Sequence, residues 1–125
     1  MGRRARQRER LSAPHRPGAD SSDYTDADGN VLTLRGSLTA RARSEYAQTL
    51  AGSGRPAATR EDDEQRAMEL LFERLAARWV IAGAPIERQR ELLARLRAAS
   101  AAERAWVRGA LREHCAERFP DVQVP

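Results

Sequence analysis

Large apolar residues recur at helical spacing through the second half of the chain, and this periodicity constrains its fold most strongly. Between residues 59 and 82 they fall within an arc of about 100° on a helical wheel: Met68, Leu71, Phe72, Leu75 and Trp79. Thr59 is a suitable N-cap, acidic residues fill the first turns, and Gly83 and Pro85 follow the last one. The pattern predicts a long helix over 59–82.

Three shorter helices are predicted around this one. Thr39 can cap a helix that reaches about Leu50, and a second runs over 86–97. Ser100 and Glu103 match the capping-box pattern at the start of a third, which reaches about Arg118.

A β-hairpin is predicted near the N-terminus. Asp28 and Gly29 form a tight-turn dipeptide, and the run from Val31 to Leu34 after it favours a strand. We expect 22–26 to pair with 31–35. Because an isolated hairpin is barely stable, its apolar face must lie on the helices.

The predicted fold class is therefore mainly α, a small four-helix domain with an N-terminal β-hairpin and a disordered basic arm. The arm covers 1–22, which has too few apolar residues to offset the entropy of ordering. The helical domain covers 23–120, with the hairpin at about 23–35, and 121–125 is a tail. The predicted core comprises Tyr46, Phe72, Leu75, Trp79, Leu93, Leu96, Trp106 and Leu111.

All the basic side chains other than histidine are arginines, and the formal net charge is +4. Codon usage in a GC-rich genome explains the absence of lysine, and the abundance of alanine favours that explanation. The alternative is a use for the guanidinium group, which binds phosphates and carboxylates through two parallel hydrogen bonds.

Two groups of arginines are predicted to bind nucleic acid. The first lies in the arm: Arg3, Arg4, Arg6, Arg8 and Arg10. The second is a stripe on the last predicted helix: Arg104, Arg108 and Arg112. Neighbouring like charges cost energy in a helix, so an anionic partner would compensate them. The alternatives are a solubilising tail and a solvated helix face.

Leu70, Ala77 and Ile81 form a second apolar stripe, on the opposite side of the predicted 59–82 helix. A helix that is apolar on two sides is either central in its domain or contributes one face to a partner. These three residues are therefore the predicted contact for a protein partner or a second copy.

No residue pattern indicates catalysis, a metal or a cofactor. The segment from Asp26 to Asn30 resembles the start of a calcium-binding loop, but the required glycine and glutamate positions hold Val31 and Ser37. His114 and Cys115 are adjacent, so their side chains diverge on a helix.

The last two predicted helices are spaced like a helix-turn-helix, a motif that reads DNA. However, the second of them offers almost none of the Asn, Gln, Ser or Thr side chains that read bases beside Arg.

A cytoplasmic location is predicted. Cys115 is the only cysteine, and we find neither a signal-peptide pattern nor an apolar run long enough for a membrane helix.

Several segments carry a family resemblance: the arginine-rich start, Leu32–Gly36, Glu69–Leu75 and Trp79–Pro85. Together they resemble small, uncharacterised helical proteins of high-GC actinobacteria, a resemblance that implies no activity. In layout alone, the hairpin and helix of residues 24–50 are similar to phage tail-assembly chaperones.

The sequence thus predicts a non-enzymatic binding protein whose arm and arginine stripe dock on nucleic acid or a ribonucleoprotein. The alternative is an adaptor or assembly chaperone that binds a protein, or a second copy of itself, through an exposed helix face.

Overall fold

The computed structural model describes residues 21–52 and 59–125, so nearly all of the predicted arm lies outside the described residues. The elements are, in chain order, β1 (Ser22–Thr25), β2 (Val31–Leu34), α1 (Ala40–Ala51), α2 (Arg60–Leu75), β3 (Ala76–Ile81), β4 (Ala84–Ile86), α3 (Gln89–Arg97) and α4 (Ala101–Arg118). The strands form one antiparallel sheet in the order β1-β2-β3-β4.

The predicted fold class is wrong, because half of this sheet comes from the region predicted to be helical. The 59–82 helix ends at Leu75, and the chain continues directly into β3. A spacing of four residues, as between Leu75 and Trp79, places two side chains on one side of a helix and also of a strand. The β-branched pair Val80 and Ile81 then favours the strand. Helix α3 also begins later than predicted, since Ile86 belongs to β4.

The first hairpin pairs where the sequence predicts it, with Ser22 opposite Leu34 and Thr25 opposite Val31. One side chain organises its turn. Asp26 Oδ1 accepts hydrogen bonds from the backbone N–H groups of Asp28 and Asn30, each at 2.9 Å. Such an Asx turn explains why an aspartate begins the loop.

The second hairpin turns at Ala82 and Gly83, whose φ angles are 51° and 80°. Two consecutive positive φ values define the type I′ turn, whose twist matches that of the flanking strands. Asn30 Oδ1 accepts a hydrogen bond from the Ala82 N–H at 3.0 Å. The turns of the two hairpins are therefore linked side by side.

One face of the sheet packs against the helices. Leu32 and Trp79 are opposite each other on the central strands and are both buried, and the ring of Trp79 meets Phe72 of α2 edge-on at 5.8 Å. Of the eight predicted core residues, Leu93 and Trp106 are half-buried and the other six are buried. The helices begin at the expected caps, Thr59 and Ser100, each within a capping box.

Two glycines give a matched test of the second hairpin. Gly83 needs its positive φ, whereas Gly109 lies inside α4, and an added Cβ meets no atom within 4 Å at either position. We therefore expect Gly83→Ala to lower the free energy of unfolding by about 1 kcal/mol or more, and Gly109→Ala to raise it by up to about 1 kcal/mol. Urea unfolding measures both changes. Stabilisation by both substitutions would mean that residues 82–83 do not form this turn.

Candidate functional site

The positive charge of the chain lies outside the described residues. Residues 21–52 and 59–125 hold fifteen arginines and sixteen aspartates or glutamates, a formal net charge of −1. The remaining residues, 1–20 and 53–58, hold seven arginines, Glu9 and Asp20, a net charge of +5. The predicted sites Arg3, Arg4, Arg6, Arg8 and Arg10 all lie in that part of the chain.

Two arginines of the predicted stripe hold the protein's own backbone. Arg104 donates a hydrogen bond to the carbonyl oxygen of Ala99, in the turn between α3 and α4. Arg112 donates to Val124 O at 3.3 Å and to Pro125 O at 2.8 Å. The half-buried Arg108 makes no hydrogen bond or ion pair with another described residue. The stripe therefore joins α4 to two other segments, and only Arg108 has no such role.

The three apolar residues predicted to bind a protein partner do not share a helix face. Leu70 lies in α2, whereas Ala77 and Ile81 lie in β3. Leu70 and Ile81 are half-buried and pack against the core. The helix face on which this site depended does not exist, because α2 ends before Ala77.

His114 is a buried structural residue. It is fully inaccessible to solvent and contacts two elements, with Nδ1 2.9 Å from the Tyr24 hydroxyl and Nε2 2.7 Å from Arg35 O. The contact with Arg35 O requires a proton on Nε2. In the neutral ring, Nδ1 therefore accepts a hydrogen bond from the Tyr24 hydroxyl. Burial, and to a lesser extent the charge of Arg118, lowers the pKa of His114.

Cys115, beside it, is also buried, and burial raises the pKa of its thiol to about 11. A thiol with so high a pKa is a poor nucleophile at neutral pH. No cluster of three or more His, Cys, Asp or Glu side chains suited to a metal occurs in residues 21–52 and 59–125. Asp26, which begins the calcium-like segment, uses its carboxylate to bond its own loop and Asn30.

One cavity, of about 580 Å³, is an open hollow between α1, the start of α2 and the C-terminal segment. Its walls are formed by Leu50, Ala51, Arg60, Asp63, Glu64, Gln123, Val124 and Pro125. The set holds two carboxylates, Asp63 and Glu64, and Asp63 forms an ion pair with Arg66 of the same helix.

The sheet face directed away from the helices carries a largely apolar row, which we call the outer row. Cross-strand pairing places four residues in line across the sheet: Thr25, Val31, Val80 and Pro85. Each is one position along from a residue that faces the helices, so it points to the opposite side. Val31 and Val80 are half-buried, yet neither belongs to the core cluster.

A charged row lies beside the outer row on the same face. Thr33 is opposite Asp23 and Arg78, and its hydroxyl donates to Asp23 Oδ1 at 2.6 Å. Arg78 pairs with Glu87 at 3.2 Å. These contacts pair the charged side chains with neighbours beside the outer row, whose two valines are not among the residues that pack against the core.

The outer row is the surface that the sequence analysis missed. The available signal was the alternation in Val31-Leu32-Thr33-Leu34 and in Arg78-Trp79-Val80-Ile81, which is typical of strands with two distinct faces. The second run was instead interpreted with a helical period.

No protein-family model, curated protein or solved structure matches the chain. The two resemblances stay predictions. Within the described part of the chain, no helix is both long and apolar enough to cross a membrane.

The neutral state of His114 predicts a loss of stability in acid. Because folding lowers the pKa of His114 below its ordinary 6.5, only the unfolded chain takes up this proton as the pH first falls below that value. The free energy of unfolding then decreases by up to about 1.4 kcal/mol per pH unit, until the pKa of the folded state is reached. Urea unfolding from pH 7.5 to 5 measures this slope. The slope should be shallower in His114→Gln, and equal slopes would contradict the assignment.

The hydrogen bond from Arg104 predicts a structural cost for its removal. Arg104→Ala leaves the Ala99 carbonyl without its charged donor, so we expect a loss of about 1 to 2 kcal/mol in unfolding free energy. The control is Arg90→Ala, an exposed position of α3 without a side-chain hydrogen bond to the described residues, expected to change stability by less than about 0.5 kcal/mol. An equally small change for Arg104→Ala would show that the bond is not formed.

Proposed function

We propose that this chain is a non-enzymatic protein-binding adaptor and that it contacts its partner through the outer row. The observation that carries the proposal is the alignment of Thr25, Val31, Val80 and Pro85 across all four strands on the face opposite the helices. This surface replaces the helix face expected from Leu70, Ala77 and Ile81.

The composition of the outer row supports a binding role. When one face of an antiparallel sheet packs on helices, the other face is usually polar and solvated. Here the two central positions are valines, and one of the two edge positions is a proline. Contiguous apolar side chains at an exposed surface typically mark an interaction site.

The charge distribution supports protein binding over nucleic-acid binding for the described residues. Their net charge is −1, whereas affinity for nucleic acid comes mainly from an excess of Lys or Arg. Two of the three stripe arginines also bind backbone carbonyls within the chain.

Docking on nucleic acid or a ribonucleoprotein is the second candidate function. The observation in its favour is the net charge of +5 on residues 1–20 and 53–58, including the five arginines of the predicted site. Binding of this kind weakens steeply as salt is added. Salt and nuclease therefore separate the two candidates.

Affinity capture of the full chain from its native lysate tests the adaptor proposal, with Val80→Glu as the variant. A carboxylate in the middle of the outer row would be desolvated on binding, so we expect the recovery of partner proteins to fall at least about ten-fold. The partners of the unsubstituted chain should survive nuclease and high salt.

The matched control is Ala105→Glu, which adds the same charge at an exposed position of α4, and it should recover partners normally. Circular dichroism of both variants verifies that they are folded. Unchanged recovery by Val80→Glu would refute the adaptor proposal, and partners lost to nuclease or salt would favour the second candidate.

A further inference from the structure

The outer row is small and elongated, and its dimensions restrict what can cover it. It crosses four strands, so three spacings of about 4.8 Å give it a length of about 14 Å. It is one residue wide, because the charged row borders one side and the hairpin turns border the other. A surface of this shape matches one apolar stripe of a single secondary-structure element.

A second copy of the chain is too large a partner for this face. Four strands with three to four residues each present roughly 250 Å², whereas a stable dimer buries about 800 Å² on each subunit. A symmetric face-to-face contact would therefore bury only about a third of the required area.

An added β-strand does not fit the β4 edge of the sheet, where Pro85 ends the outer row. Edge strand β4 has only three residues, and Pro85, at its centre, has no backbone N–H to donate. A helix has no such requirement, since its backbone hydrogen bonds are satisfied internally. About ten helical residues span 15 Å and cover the length of the row.

The charges around the outer row are not balanced from end to end. Arg78 and Glu87 neutralise each other near β3 and β4. At the other end, Asp23 accepts a hydrogen bond from Thr33 but forms no ion pair with a described cation, and Asp28 is exposed in the turn of the same hairpin. The β1–β2 end is therefore acidic.

We infer that the outer row receives one amphipathic helix of a partner protein, with its basic end over the β1–β2 hairpin; this inference rests on the proposed function. About ten residues of this helix lie along the row, and their apolar stripe contacts Val31 and Val80. Its arginine or lysine side chains pair with Asp23 and Asp28. The acidic hairpin thereby sets the direction of the bound helix.

The test titrates the full chain, labelled at its valine methyl groups, with a synthetic helical peptide of about fourteen residues. The peptide carries leucines spaced three and four apart and two arginines at one end. A scrambled peptide of equal composition is the control probe. NMR is expected to show saturable shifts centred on Val31 and Val80, with affinity at least about ten-fold lower for the scrambled peptide.

Two pairs of substitutions test which side chains of the protein the peptide contacts. Val80→Glu should weaken peptide binding at least about ten-fold, whereas Ala105→Glu should leave it unchanged. Asp23→Asn should weaken it by up to about five-fold and reduce its salt dependence, as removal of one exposed ion pair does. Glu61→Gln, at an exposed position of the first turn of α2, should have no effect.

Equal binding of the scrambled peptide, shifts confined to the β1 edge or another surface, or no saturable binding would each overturn the helix inference. Dimerisation that depends on Val80, seen by sedimentation, would also overturn it. If Val80→Glu abolishes partner capture while the peptide does not bind, the helix inference fails and the adaptor proposal stands. If Val80→Glu leaves capture intact, the adaptor proposal itself fails.

Discussion

The cross-strand contact between Leu32 and Trp79 determines what each face of the sheet presents. Both side chains are buried under the helices, and Phe72 packs against the Trp79 ring. If β3 slipped by one residue in this pairing, Val80 would turn toward the helices and the tryptophan would be exposed. The burial of one large pair thus requires that the valines point outward, and the outer row follows from the core.

Polar contacts hold strand β1 in place at the edge of the sheet. Edge strand β1 has one neighbouring strand, and two side chains from the last turns of α4 hold it: His114 contacts Tyr24, and Arg118 donates to the Ser22 hydroxyl at 2.8 Å. His114 also binds the backbone after β2. Helix α4 therefore holds the hairpin from the side of the sheet that faces the helices.

Local signals were readable from the sequence, whereas the sheet as a whole was not. The first hairpin and the helix caps Thr59 and Ser100 are determined by residues close to them in sequence. Short sequence motifs therefore predict them. Strand β3 was missed because Leu75 and Trp79 satisfy the helical period and the strand period alike. The outer row could not be predicted from the sequence, since Val31 and Val80 are far apart along the chain. They become neighbours only through the register of β2 and β3.

Several arginines of the described residues join one helix to another. Arg95 reaches from α3 to Glu103 of α4 at 2.8 Å and lies over the Trp79 ring, while Arg97 joins α3 to Glu69 of α2 at 3.0 Å. Such exposed pairs contribute little free energy each, but the planar fork fixes the orientation of one element on another. These two guanidinium groups, like those of Arg104 and Arg112, are engaged within the chain and are less free to bind a polyanion. We therefore propose that recognition by this part of the protein depends on its outer row.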